Sequence, residues 1–169
     1  ALALALAVAL AQATLPLIGA HRGDSLLMAL AEPAALAQAL LVAFAFGALT
    51  YSFVVSDFSL QVVASNSNSA IPLLYKVSGV WGNHEGSMLL WVLILAVYGL
   101  AVALFGGNLP PAFRARVLAV QAGVAVGFYL FMLLTSNPFA RAFPPPADGR
   151  DLNPLLQDPG LAFHPPMLY

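Results

Sequence analysis

Four almost uncharged apolar runs, separated by polar segments that are alternately short and long, set the pattern of this chain. They cover residues 1–20, 33–56, 87–105 and 116–136. At about 1.5 Å per residue, each crosses most of a hydrocarbon core about 30 Å thick. Lipid offers no water to the backbone, so each run is predicted to be an α-helix. The predicted fold is therefore all-α: a polytopic transmembrane bundle of four full spans, with the start of a fifth after residue 164. Pro16 lies near the end of the first run and Pro33 opens the second. A helix tolerates proline at its first turn, so Pro33 fits a helix start. The connections at 21–32 and 106–115 are short, whereas those at 57–86 and 137–164 are long. The polar run Ala64-Ser65-Asn66-Ser67-Asn68-Ser69 and the prolines of the fourth connection read as irregular but ordered loops.

Composition agrees with this pattern. Of the 169 residues 61% are hydrophobic and only 8% charged, against about 25% charged in a soluble domain. The mean hydropathy is +0.88, so lipid is the expected solvent. A net charge of -1 provides no basic footprint and excludes nucleic acid as a partner. The absence of cysteine excludes disulfides, thiolate metal sites and cysteine catalysis within this stretch. The first run has no basic region ahead of it and further spans follow, so it reads as a true membrane helix rather than a signal peptide. Ala1 lies inside an apolar run and Tyr169 directly follows the Pro165-Pro166-Met167-Leu168 start of a span, as expected of part of a longer chain. Arg22, Arg114 and Arg116 lie on the short-loop side; Lys76, Arg141 and Arg150 lie on the long-loop side. Arg114 and Arg116 flank a helix end, where the positive-inside rule counts most, so the short loops are expected in the cytoplasm and the long loops outside.

The polar residues kept by such a chain are the candidates for chemistry. Trp81-Gly82-Asn83-His84-Glu85-Gly86-Ser87 stands at the threshold of the third run. Glu85 falls in a first helical turn, where a carboxylate is favoured and satisfies orphan N–H groups. Alternatively, Trp81, His84 and Glu85 form a polar rim that meets a cofactor, a proton path or a partner protein. His84 and Glu85 are adjacent on a helix and point about 100° apart, a poor zinc site. His164 precedes Pro165-Pro166, which predicts an imidazole pinned at the cap of the fifth helix. Beside Phe163, Met167 and Tyr169, that ring suits axial ligation of haem iron; plain helix capping is the alternative. His21, next to Arg22 and Asp24, reads as a solvated interfacial side chain. Gly123-Val124-Ala125-Val126-Gly127 has the spacing of a close helix crossing. Trp81, Tyr75 and Trp91 fit an interfacial aromatic belt, and Asp57 a solvated run end.

Four segments together carry a family resemblance: Val80–Ser87, Thr135-Ser136-Asn137-Pro138-Phe139, the ten-residue string Asp151-Leu152-Asn153-Pro154-Leu155-Leu156-Gln157-Asp158-Pro159-Gly160 with Gly149-Arg150 before it, and Phe163-His164-Pro165-Pro166. With Val63–Asn68, they resemble the N-terminal part of the CcmF family, the membrane subunit of the bacterial system I cytochrome c haem lyase. The resemblance implies a multi-pass protein of the bacterial inner membrane, with residues 57–86 and 137–164 in the periplasm. It implies that haem is received from the periplasmic haem chaperone CcmE and positioned for thioether attachment to apocytochrome c, with maturation subunits of the CcmH/CcmI type as further partners. It also implies that His164 is one of two periplasmic histidines holding the incoming haem, and that a structural b-type haem is held by ligands beyond Tyr169. Two other readings compete: a proton-, ion- or solute-translocating subunit using Asp57, Glu85 and His84, and a structural scaffold of the maturation complex.

Overall fold

A computed structural model describes residues 1–168 and folds them into helices, with one isolated β-bridge among the described residues. The helices are α1 (Leu2–Arg22), α2 (Ser25–Ala29), α3 (Ala31–Val54), α4 (Gln61–Asn66), α5 (Leu73–Gly79), α6 (His84–Phe105), α7 (Pro111–Leu134) and α8 (Pro159–Leu168). The chain divides into two compact units, residues 1–45 with 92–133 and residues 46–91 with 134–169.

In the first unit the core is built from small side chains. Ala5, Ala9, Ala35, Ala39, Ala119, Ala122 and Ala125 are all buried. Helices in lipid gain no hydrophobic advantage from touching one another, so close backbone approach through alanine is one available source of attraction and interhelical hydrogen bonding another. The expected glycine crossing is not where this happens. Gly123 and Gly127 face open space, and α7 packs instead through Ala115, Leu118, Ala122 and Tyr129, a face rotated away from the two glycines. The turn after α1 is set by Gly23 at φ 72°, a left-handed conformation natural to glycine. Asp24 then caps α2 by accepting from the amides of Leu26 (2.9 Å) and Leu27 (3.2 Å).

Polar groups inside this unit are paired. The Tyr129 hydroxyl donates to Gln38 Oε1 (3.1 Å), the Gln38 amide donates to Gln12 Oε1, and the Gln12 amide donates to the Ala31 carbonyl (3.1 Å). The chain runs in one direction, so every donor meets an acceptor across α7, α3 and α1. Gln121 donates similarly to the Leu95 carbonyl of α6. The cavity that Gln12, Gln38 and Gln121 line measures about 20 Å³, room for one water.

The four long helices are long and apolar enough to cross a membrane, and at most 33% of the most apolar window of each is buried. Leu4, Phe44, Tyr98 and Val120 point outward. A surface of this kind suits lipid, which makes the chain a multi-pass membrane protein.

Replacing Gln38 by Leu breaks the relay at two bonds. With interhelical hydrogen bonds in membranes worth about 0.6 kcal/mol on average and about 1.7 at most, Gln38→Leu is expected to cost about 1–2 kcal/mol, and Tyr129→Phe less. Unfolding of the complete protein in mixed micelles measures both.

Candidate functional site

The second unit gathers the family motifs, and it begins within α3, at Phe46. Ser56 sits at φ 58°, a left-handed turn closed by the Asp57 amide donating to the Ser52 carbonyl (2.9 Å). Lys76 Nζ donates to Ser56 Oγ (2.6 Å). Asp57 accepts from the Ser59 amide (3.2 Å) and hydroxyl (2.6 Å), so its carboxylate shapes a loop turn rather than standing alone in the membrane.

The two long connections are irregular in outline but contain short helices, and they are stitched together. Leu60 bridges Arg141, the Gln61 amide donates to the Ala140 carbonyl (2.9 Å), and the Arg150 amide to the Ala64 carbonyl (2.7 Å). The Ser69 hydroxyl and amide donate to Asp148 (2.7 and 3.0 Å). A Cβ on Gly149 would lie 1.9 Å from the Ser67 carbonyl, so only glycine admits this approach. The polar run at 64–69 is thus the seat of the fourth connection.

The Trp81–Ser87 segment is first of all a helix start. Asn83 caps α6: its side-chain oxygen accepts from the Gly86 amide (2.7 Å) and its side-chain amide donates to the Gly79 carbonyl (2.7 Å). This is the capping role the sequence assigned to Glu85; the shorter Asn83 side chain performs it, while Glu85 lies half-buried in the first turn without a hydrogen bond to a described residue. Gly86 is obligatory, because a Cβ there would lie 1.6 Å from the Val80 carbonyl. His84 Nε2 lies 3.1 Å from Ser136 Oγ, tying the helix start to the Thr135–Phe139 motif.

Helix α8 corrects one expectation. The sequence predicts His164 at a helix cap, but α8 begins at Pro159, so His164 lies inside it. Asp158 provides the start, its side chain accepting from the Leu161 amide (3.0 Å) and its carbonyl from the Ala162 amide (2.8 Å). The Asx–Pro start was visible at 158–159 and outcompetes the proline pair. That pair has a different consequence. Pro166 has no N–H to give the Ala162 carbonyl four residues earlier. Trp81 Nε1 donates to that carbonyl instead, at 2.8 Å. The Trp81 and Phe163 rings lie 6.2 Å apart at 45°, within the range of favourable aromatic pairs. Leu152 and Leu156 close around Gly82, their methyls 3.5 and 3.0 Å from where a Cβ would stand. Three motifs distant in sequence therefore meet at Trp81-Gly82.

His164 is exposed and makes no hydrogen bond or ion pair with a described residue. Phe163 and Met167, at 44% and 82% exposure, leave apolar surface beside it; Tyr169 lies outside the described residues. The accessible imidazole and its apolar flank fit a porphyrin whose iron takes a nitrogen ligand. The indole N–H of Trp81 is already committed to Ala162. His84 and Ser136 are neighbours, and no group of three metal-ligating side chains forms among the described residues.

An all-helical, multi-pass membrane chain whose long loops pin an accessible, proline-backed histidine is the class that fold and site define. The family of the Cytochrome C assembly protein matches residues 81–169, just over half of the chain, and the chain belongs to that family. It is 62% identical over its whole length to the cytochrome c-type biogenesis protein CycK of Rhizobium meliloti, covering 25% of that protein. It is 53% identical over 99% of its length to the cytochrome c-type biogenesis protein CcmF of Escherichia coli, covering 26% of it. The chain thus spans about a quarter of these relatives. The solved structure of a Cytochrome c Heme Lyase CcmF superposes with a TM-score of 0.75 at 33% identity, over 82% of this chain and 23% of that one.

Hydrogen bonding by the Ser69 hydroxyl first, then by the Ser69 and Gly149 amides, holds the exposed Asp148 carboxyl below its usual value. A depressed carboxylate contributes stability above its unfolded value and loses it as pH falls through the folded one. The docking of 148–149 on 69 is therefore expected to loosen below about pH 4. Protection factors at the Ser69 and Gly149 amides, corrected for intrinsic exchange, should fall there, and Asp148→Asn should remove that pH dependence.

Proposed function

We propose that this stretch is the N-terminal part of the membrane subunit of a cytochrome c haem lyase, and that it receives haem from a periplasmic haem chaperone and positions it for thioether attachment to apocytochrome c. The reading is supported by the family, by the multi-pass helical fold, and above all by His164. Its ring is exposed, uncommitted among the described residues, and carried by a helix fixed through Trp81. Haem is the substrate here, and the hard chemistry belongs to it and to the substrate thiols. The part of this chain is to offer one axial nitrogen and an apolar flank and to hold both still. Phe163 and Met167 would lie against the macrocycle, and Trp81 would act on it only through α8. His84 and Glu85 remain rim positions on the same unit. The structural b-type haem would take its ligands from the rest of the protein.

In this proposal the loops 57–86 and 137–164 face the periplasm of the inner membrane. There the stitched connections would form a firm surface for the chaperone, for apocytochrome c and for CcmH/CcmI-type subunits.

Replacing His164 by Gly in the complete protein should lower chaperone-derived haem capture and holocytochrome c yield by about tenfold or more, the worth of at least ~1.4 kcal/mol of ligation. Added imidazole should restore part of both. A normally expressed His164→Gly protein with unchanged haem capture and yield would leave α8 as scaffold only.

A further inference from the structure

The C-terminal end of α1 carries a separate cluster of donors that the motifs above do not use. His21, Arg22 and Arg116, with Leu17 and Ile18, line an open cavity of about 480 Å³ in the first unit. No acid lines it. Nearby charges are spent elsewhere: Glu32 pairs with Arg114, and Asp24 is turned onto the amides of Leu26 and Leu27. Neither Arg22 nor Arg116 has an ion pair among the described residues, so the cavity is positive without compensation.

The cluster is also partly preorganised. Arg116 donates through Nη2 to the Ala20 carbonyl (3.0 Å). That bond satisfies a carbonyl of the last turn of α1 and fixes one edge of the guanidinium, whose remaining N–H groups stay available. Fixed guanidinium groups match phosphate oxygens well. The other wall is apolar: Leu17 and Ile18 are 43% and 41% exposed and belong to a membrane-spanning helix. Basic donors at the end of a span, joined to an apolar wall along that span, reproduce the division of a phospholipid into headgroup and acyl chain.

We propose that this cavity binds a phospholipid of net negative charge, with Arg22 and Arg116 on the phosphate, His21 at the rim, and an acyl chain along Leu17 and Ile18. A free phosphate would use the arginines but leave the apolar wall bare. A zwitterionic lipid would bring its own cation into an uncompensated positive site. The short-loop, Arg-bearing end is where the charge rule places the cytoplasmic leaflet, whose anionic lipids attract such residues.

The test uses the complete protein, delipidated in detergent and titrated with fluorescent phosphatidylglycerol, with phosphatidylcholine and inorganic phosphate as competitors. Saturable binding that neither competitor displaces is expected. Arg22→Gln is expected to weaken it about five-fold, the worth of one interfacial arginine, and Arg22→Lys is expected to retain most of it. Arg116 also holds the Ala20 carbonyl, so the exposed Arg22 is the deciding position, with an unchanged elution profile as the folding control. Equal affinity for phosphatidylcholine, displacement by millimolar inorganic phosphate, or unchanged binding by a folded Arg22→Gln protein would each overturn the proposal.

Discussion

The hydrogen bond from the Trp81 indole to the Ala162 carbonyl is the contact on which the candidate site depends. Two adjacent prolines inside α8 withdraw amide hydrogens, and a helix without them is free to bend or fray. The Ala162 carbonyl is left without its helical donor in a buried position, where an unpaired acceptor costs about 1–3 kcal/mol. Trp81 provides the donor from the segment just before α6, and its ring rests near Phe163. A defect in one helix thus becomes its point of attachment, and the residue carried beyond that point, His164, is left exposed.

The same economy governs the rest of the second unit. Asn83 caps α6, Asp158 caps α8, and Ser69 holds Asp148, so the polar residues that make the motifs conspicuous are largely consumed in closing backbone and loop ends. Gly86 and Gly149 are fixed by carbonyls less than 2 Å from where a Cβ would stand. Apart from the buried Ser67 hydroxyl, which has no partner among the described residues, the paired loop groups tie the two long connections to one another. A surface tied in this way is what the proposed haem-positioning role would require.

Much of this was legible in the sequence. Length and apolarity sufficed for the four spans, because lipid leaves the backbone no alternative to helix. Of the motifs that carry the family resemblance, three meet at Trp81 and Gly82, and Thr135–Phe139 joins them through His84 and Ser136. What was not legible depended on tertiary partners. Gln12 and Gln38 form the relay with Tyr129 and Gln121 holds the Leu95 carbonyl; glutamines in otherwise apolar spans are the sequence signal for such bonds. Gly123 and Gly127 had the right spacing for a crossing, but spacing does not say which face meets a neighbour. Asn83 was overlooked as the cap because a carboxylate at Glu85 looked sufficient. The start of α8 differs from the sequence expectation because the Asp158-Pro159 signal prevails over the preference of a residue before proline, and no local rule foretells an indole arriving from 81 residues away.

The link between Trp81 and His164 is most directly measured by a double-mutant cycle on haem capture by the complete protein, comparing Trp81→Phe, His164→Ala and both together. Phenylalanine keeps an aromatic ring while deleting the donor. If the indole acts by holding α8, Trp81→Phe lowers capture in the native background and adds nothing once His164 is gone. Losses that simply add would show that the two residues act separately and would contradict the account.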